Sequence, residues 1–278
     1  MRCKVRGVVV KYKRMKKYIS LICCTALLAL AVPLAACGGV EVKYTLSEDG
    51  TYYIVSDVVG NELALKSYTV PAEYSTGGGE LLPVKEIGDG AFSECPYLHS
   101  VTLPEGIERI GDRAFMLCGI NSFTIPESVT YIGYGAFAYC TALREIVIPE
   151  AVTSIGEKAF AYCENLVKAD IKASVTYLPE QLFVARYSQS GGNVFTATEL
   201  VEVHVPATVQ KIHYNAFDGN FLTDIYFGGS KQQWDELYFY YYEKIEGEDG
   251  EEDRYEEKKV EDKDKVIPGV TVHYAESE

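Results

Sequence analysis

The sequence is poor in histidine, a residue that supplies many metal ligands and catalytic bases. Only four histidines occur in 278 residues, and no two stand at the short spacings that zinc sites use. The glycine run Gly77–Gly79 lacks the lysine and hydroxyl residue that complete a phosphate-binding loop. The acidic stretch EGEDGEED lacks the regular ligand spacing of a calcium loop. We therefore predict no catalytic residues, no metal and no cofactor, and a protein that is not an enzyme.

Basic side chains are scarce beyond residue 36. The first 36 residues hold eight of the 26 lysines and arginines and no acid, so the rest of the chain has 18 basic residues against 40 acidic ones, a net charge of −22. Such a surface repels phosphate groups, whose binding depends on lysine and arginine. Nucleic acid and the anionic surface of a membrane are therefore not expected as partners.

The first 36 residues have the features of a secretory signal peptide. Lysines and arginines precede an apolar run that ends in Leu34-Ala35-Ala36-Cys37. This ending resembles the bacterial lipobox, in which the cysteine receives a diacylglyceryl group and becomes the new N-terminus after cleavage. We predict lipidation at Cys37, a natural start at Met15, and a mature protein anchored by lipid outside the cytoplasmic membrane and exposed at the cell surface. An uncleaved transmembrane anchor is the alternative, since the run is about as long as a membrane span.

Phenylalanine recurs at a nearly constant interval along most of the chain. Five phenylalanines lie 23, 22, 23 and 23 residues apart and a sixth follows after 34, at Phe92, Phe115, Phe137, Phe160, Phe183 and Phe217. Each is followed by a short alternation of apolar and polar residues that usually ends in proline, such as LHSVTLP. This period predicts a solenoid, whose units bury their apolar faces only by stacking on one another. In each unit we expect a strand, a glycine that permits a turn (positions 88, 111, 133 and 156), and a short helical or 3₁₀ segment at the phenylalanine.

These units resemble the BspA-like leucine-rich repeats of bacterial surface proteins, which read much like V-x-x-I-G-x-x-A-F-x-x-C-x-x-L-x-x-V-x-I-P. The resemblance covers Leu65–Gly228. It implies an α/β repeat solenoid with a parallel sheet on one face and short helical or 3₁₀ segments and extended pieces on the other. The fifth unit departs from the pattern, because Pro179 replaces the glycine and Arg186 the cysteine. An insertion over 186–198 follows, and we expect it to bulge from the fold.

Both ends of a solenoid need a cap, since an open end exposes the core and a strand edge. We divide the chain into a signal peptide (1–36), an anchor linker (37–43), an N-terminal cap with the first coil (44–83), the leucine-rich repeats (84–230) and a C-terminal cap (231–278). The N-terminal cap is predicted as a hairpin over Val42–Val55. In the C-terminal cap, Ser230 and Gln233 match a capping box that opens a helix over KQQWDELYFYYYEK. A mobile acidic loop at 243–265 and an edge strand at Val270–Tyr274 are expected to follow.

A cysteine follows four of the phenylalanines at the same place, at Cys95, Cys118, Cys140 and Cys163. Residues that repeat once per coil, about 5 Å apart, cannot surround one metal ion. We expect buried thiols that act as small hydrophobic groups. Disulfides between adjacent coils are the alternative.

The outward positions of the strands form the candidate binding surface. They are Ser100, Thr102, Ser122, Thr124, Glu145, Val147, Lys168, Asp170, Glu202, His204, Asp224 and Tyr226. Extended solenoid faces are common binding surfaces. We predict a lipid-anchored, noncatalytic surface module that binds an unknown extracellular protein or glycan, as the resemblance implies for adhesion-type relatives. The alternatives are a surface polysaccharide hydrolase that uses paired acids such as Glu145 and Glu202, and a structural spacer.

Overall fold

The computed structural model describes residues 39–185, 199–245 and 254–275, within one compact unit formed by Cys37–Glu278. Its regular structure is mostly short β-strand. The strands, in chain order, are β1 (Glu41–Leu46), β2 (Tyr53–Val59), β3 (Ser67–Thr69), β4 (Glu73–Tyr74), β5 (Leu82–Ile87), β6 (Ser100–Thr102), β7 (Arg109–Ile110), β8 (Tyr131–Ile132), β9 (Glu145–Ile148), β10 (Ser154–Ile155), β11 (Lys168–Ile171), β12 (Tyr177–Leu178), β13 (Glu202–Val205), β14 (Lys211–His213), β15 (Asp224–Phe227), β16 (Tyr238–Ile245), β17 (Arg254–Lys259) and β18 (Thr271–Tyr274). The described residues also contain one α-helix, α1 (Lys231–Glu236), and two 3₁₀ turns, Glu62–Ala64 and Lys263–Lys265.

Equivalent strands of successive coils form parallel sheets on two sides of the solenoid. On the first side, β9, β11, β13, β15 and β18 form a five-stranded sheet, and β3 pairs with β6. On the return side, β5, β7, β8 and β10 continue a sheet that begins with the antiparallel hairpin of β1 and β2. A separate return-side sheet contains β12, β14, β16 and β17. The predicted α/β repeat solenoid is confirmed, and the expected extended pieces are themselves paired strands.

The repeated phenylalanines form one continuous stack in the core. The rings of Phe115, Phe137 and Phe160 lie 5.2 Å from centroid to centroid and nearly parallel. The stack extends to Phe92 at one end and through Phe183 to Phe217 at the other. Centroid separations in this range are typical of offset-stacked rings. The period of the sequence is therefore the period of this core.

The segments around the phenylalanines are successive turns, so the prediction of short helical or 3₁₀ pieces there is wrong. Arg113 and Leu117 have φ angles of 54° and 62°, which a right-handed helix cannot contain. Backbone N–H groups alternate between their own coil and the next one. Met116 donates to the carbonyl of Arg113 at 3.1 Å, and Phe115 donates to that of Ala136 at 2.8 Å. The turns thus form a third hydrogen-bonded ladder between coils.

The return-side glycines are required by close approach between coils and not by a turn, which corrects their predicted role. Positive φ occurs at none of Gly88, Gly111, Gly133 and Gly156. The N–H of Gly156 donates to the carbonyl of Ile132 at 2.8 Å. A Cβ at Gly156 would lie 2.4 Å from the backbone nitrogen of Tyr134. Only glycine allows this approach.

The second unit, which contains Cys118, has no strand on the first side, so the predicted continuous face is interrupted at Ser122 and Thr124. This unit has one residue fewer between its cysteine and its proline than its neighbours. Gly119 lies in the shortened link, where a Cβ would be 2.1 Å from the carbonyl oxygen of Pro96. The large ring of Phe123 takes the place of a strand aliphatic residue. The short link and the large ring together keep the segment out of the ladder.

The C-terminal cap differs from its prediction after the first turn of helix. The Ser230 capping box is present, but α1 ends at Glu236 and the tyrosine-rich segment continues as β16. Within the segment expected as a mobile acidic loop, β17 pairs antiparallel with β16, so that expectation is wrong for Arg254–Lys259. Pairing with β16 gives the backbone of this highly charged strand hydrogen-bond partners along one edge. The edge strand is confirmed as β18, and the N-terminal hairpin as β1 and β2. The insertion at 186–198 and residues 246–253 lie outside the described residues.

The four repeat cysteines are free and buried, which confirms the prediction of thiols over disulfides. Cys118 donates its S–H to the carbonyl of Phe92 at 3.0 Å, and Cys140 donates to that of Phe115 at 3.2 Å. Cys163 makes the same contact with the preceding coil. Where the cysteine is replaced by Asn220, the amide donates to the carbonyl of Phe183 at 2.8 Å. In these four coils the position therefore combines a small side chain with a donor to the preceding coil.

Candidate functional site

The five-stranded sheet places ten outward side chains in two rows across its strands. We call the first the charged row, and it contains Glu145, Lys168, Glu202, Asp224 and Thr271. We call the second the mixed row, and it contains Val147, Asp170, His204, Tyr226 and His273. Alternation along each strand turns these residues outward while their neighbours enter the core. The parallel register then aligns equivalent positions of successive coils.

The charged row is linked by contacts between adjacent strands. Lys168 forms an ion pair with Glu202, whose Oε1 also lies 2.7 Å from Nε2 of His204. The hydrogen bond from Lys168, and then the one from His204, lower the pKa of Glu202. The hydrogen bond with His273, Nε2 to Oδ1 at 2.7 Å, and then the one from Thr223 lower the pKa of Asp224. Both carboxylates are thus held in their charged form.

The mixed row contains three stacked rings from three strands. The ring of Tyr226 lies 4.7 Å from that of His204 and 4.4 Å from that of His273, with interplanar angles of 17° and 11°. Tyr226 is 38% exposed. A shallow groove of about 490 Å³ runs along these rings. The sheet therefore presents a rigid array of mutually supported polar and aromatic groups.

The fifth strand contributes two residues that the sequence reasoning missed, Thr271 and His273. The segment Val270–Tyr274 is predicted as an edge strand, but its outward positions are not included in the candidate surface. The alternation in VTVHY was the available signal, since every second residue of a strand faces the same side. The alternation does not identify the strand with which this segment pairs. In the structure β18 pairs with β15 and so joins the sheet.

The early residues of the predicted surface do not join this sheet. Ser100 and Thr102 are exposed on β6, which pairs with β3. Ser122 and Thr124 are exposed on the segment without a strand. The structure thus brings together the eight predicted residues from Glu145 to Tyr226 in one five-stranded sheet.

The charges of the sheet do not match those of a glycosidase acid pair. Glu145 and Glu202 lie on the two strands that flank β11, two strand spacings or about 10 Å apart. A general acid needs a raised pKa, whereas that of Glu202 is lowered, first by Lys168. In the described part of the chain, no group of three or more histidine, cysteine or acidic residues could hold a metal ion.

Two further expectations concern the N-terminal segment. Cys37 and the predicted signal peptide at 1–36 lie outside the described residues. Across 39–185, 199–245 and 254–275, no helix has the length and apolar character needed to cross a membrane.

Comparisons with known proteins identify the repeat. The BspA type leucine-rich repeat region matches residues 82–188 and 184–246, with six copies. No curated protein matches the chain. A leucine-rich repeat protein from Bacteroides ovatus is 24% identical, with 68% of this chain and 54% of that chain covered and a TM-score of 0.51. The leucine-rich repeat protein of T. pallidum is 23% identical, with 67% and 83% covered and a TM-score of 0.45.

The likeness to the Bacteroides ovatus protein concerns the fold. The chain spans about half the length of the Bacteroides ovatus protein. The family match indicates a noncatalytic repeat fold, and proteins of this type are typically surface-associated. The Bacteroides ovatus neighbour supports the fold alone.

Proposed function

This chain belongs to the BspA type leucine-rich repeat family, and we propose that it is a lipid-anchored, noncatalytic module that binds an extracellular protein at the bacterial cell surface. The five-stranded sheet is the binding surface. The proposal rests on one observation above all, the two aligned rows of polar and aromatic side chains on that sheet. The anchor is the lipid on Cys37.

The rows suit recognition because they are ordered before a ligand arrives. Glu202 and Asp224 are each held by a histidine, and Tyr226 is held between two rings. Ordering exposed side chains on binding costs about 0.5–1.5 kcal/mol for each flexible side chain. A surface that is already ordered loses less of its binding free energy in this way. Lowered pKa values keep both carboxylates charged, so the surface keeps its charge at neutral pH.

The dimensions and charge of the sheet favour a protein partner with a basic patch. Five strands span about 19 Å. This width exceeds that of a small molecule and is comparable with the width of a contact between two proteins. The outward residues include four acids, and Lys168 is already paired with Glu202. The excess negative charge attracts Lys and Arg of a partner and accelerates its association. A glycan is the alternative ligand for the same surface.

The experiment is an array of extracellular proteins and glycans probed with purified residues 38–278. We expect binding to proteins with basic patches, weakened by salt. A positive signal only on glycans would replace the protein partner by a glycan. Silence across both parts of the array would contradict the proposal and favour a structural spacer.

The hydrolase alternative has its own test. Glu145→Gln combined with Glu202→Gln abolishes turnover of a surface polysaccharide if the chain is a hydrolase. On our proposal there is no turnover to lose, and the double variant changes only the affinity for the bound protein. The lowered pKa of Glu202 supports the second outcome.

A further inference from the structure

The return-side sheet is broken at one place, between the fourth and fifth coils. In the earlier coils, a glycine N–H donates to the preceding coil, as Gly133 does to the carbonyl of Ile110 and Gly156 to that of Ile132, both at 2.8 Å. The equivalent residue of the fifth coil is Pro179, which has no N–H to donate. No ladder joins β10 to β12, so the return side divides into two sheets here.

The side chain of Pro179 adds a steric reason for the break. A Cβ at Gly156 would lie within 2.6 Å of backbone atoms of the previous coil, so Pro179 cannot approach the fourth coil as closely as Gly156 approaches the third. The same two coils remain joined elsewhere. On the first side β9 pairs with β11, and in the turn ladder Phe160 donates to the carbonyl of Leu182 at 3.0 Å. The coils therefore separate on the return side alone.

The break opens a cleft of about 630 Å³, and Pro179 is part of its wall. Five tyrosines line this cleft, namely Tyr131, Tyr134, Tyr177, Tyr240 and Tyr242. Tyr240 is buried, whereas Tyr177 is 42% and Tyr242 52% exposed. A concave site of this volume with aromatic walls and a few polar groups is typical of ligand binding. We call this site the tyrosine cleft.

The charges of the tyrosine cleft narrow the class of ligand. Its walls include three acids, Asp112, Glu157 and Glu180, and one lysine, Lys211. Lys211 is already paired with Glu257 at 2.5 Å. The remaining acids disfavour an anionic ligand.

A cationic ligand is disfavoured as well. The Nζ of Lys211 lies 4.6 Å from the ring centroid of Tyr240 and 5.9 Å from that of Tyr177. A ligand cation would rest on such ring faces, and Lys211 already occupies these two. An uncharged ligand with many hydroxyl groups meets neither obstacle.

We propose that the tyrosine cleft binds an uncharged oligosaccharide. Tyrosine rings offer apolar area to the C–H faces of a pyranose, while the carboxylates of Asp112, Glu157 and Glu180 accept hydrogen bonds from its hydroxyls. The cleft lies on the return side, and the five-stranded sheet lies on the first side. This inference therefore does not depend on the proposed function of that sheet.

The test is calorimetric titration of purified residues 38–278 with maltohexaose, cellohexaose and mannohexaose. We expect at least one of the three to bind, and Tyr177→Ala and Tyr242→Ala each to weaken that binding at least tenfold. Both side chains are exposed, so the variants keep the fold, which circular dichroism checks. Tyr97→Ala, a tyrosine 50% exposed that lies outside both the tyrosine cleft and the five-stranded sheet, is the matched control and leaves saccharide binding unchanged.

Pro179→Gly tests the origin of the cleft. Glycine restores the N–H and removes the side chain, so the coils close and saccharide affinity falls while every tyrosine is retained. Failure of all three saccharides to bind at millimolar concentration would overturn the proposal. Binding that survives both tyrosine substitutions would overturn it equally.

Discussion

Replacing Cys118 by alanine should destabilise the fold more than replacing Cys140, although both thiols are buried. The difference lies in the backbone carbonyl to which each thiol donates its hydrogen bond. The carbonyl of Phe115 accepts the thiol of Cys140 and also the N–H of Cys118 at 3.3 Å. Among the described residues, no backbone N–H donates to the carbonyl of Phe92, which accepts the thiol of Cys118 at 3.0 Å. Cys118→Ala therefore leaves a buried carbonyl without a partner.

The two losses can be separated in magnitude. Both variants lose one buried, methylene-sized group, worth about 0.8 kcal/mol, and both leave a small cavity that adds to this loss. A buried carbonyl without a hydrogen-bond partner lowers the free energy of unfolding by a further amount of about 1–3 kcal/mol. We expect Cys140→Ala to lower the free energy of unfolding by about 1–2 kcal/mol and Cys118→Ala by about 2–4 kcal/mol.

The assay is urea unfolding of purified residues 38–278 in the presence of a thiol reductant. Cys118→Ser is the control, because its hydroxyl keeps a donor for the carbonyl of Phe92 and should recover part of the loss. Equal losses for the two alanine variants, or no recovery with serine, would refute the idea that this position is selected for a donor.

Three further predictions follow from the core, the coil contacts and the anchor. Burial raises the pKa of Cys163 to about 12, whereas the pKa of a cysteine thiol in an unfolded chain is about 8.5. The unfolded state therefore loses its thiol proton first, so the free energy of unfolding falls as the pH rises from about 8.5 towards about 12. In Cys163→Ala the urea midpoint should fall less steeply over the same pH range. Gly156→Ala should cost several kcal/mol in urea unfolding, because its Cβ would meet backbone at 2.4 Å; Gly135→Ala, at φ 57° with no contact below 3.7 Å, should cost about 1 kcal/mol. Cys37→Ser should move the protein from the membrane fraction to the soluble fraction, and an unchanged membrane fraction would favour a transmembrane anchor.

The repeat core was predictable because its signal is periodic. The spacing from Phe92 to Phe217 gives the ring stack, since each coil must place the same side chain at the same height. The role of the return-side glycines was not predictable in the same way. A glycine that permits a turn and a glycine that permits close approach look identical in a sequence, and only the contact of Gly156 with the previous coil distinguishes them.

The features that the sequence did not predict depend on strand pairings, which local composition does not encode. The charged segment Arg254–Lys259 lacks the apolar content of an independent strand, and it is ordered by pairing with β16. His273 joins the candidate surface because β18 pairs with β15. The tyrosine cleft depends on Pro179, which the sequence identifies as a departure but whose effect on the neighbouring coil appears only in the structure.

The most direct test of the five-stranded sheet as the binding surface is the affinity of residues 38–278 for the protein partner found on the array. Tyr226→Ala removes the middle ring of the stacked row, whereas Tyr255→Ala removes a tyrosine of β17 that is 65% exposed. We predict that Tyr226→Ala weakens binding at least tenfold, a loss of about 1.4 kcal/mol, and that Tyr255→Ala leaves it unchanged. Equal effects of the two substitutions would contradict the assignment of the five-stranded sheet as the binding surface.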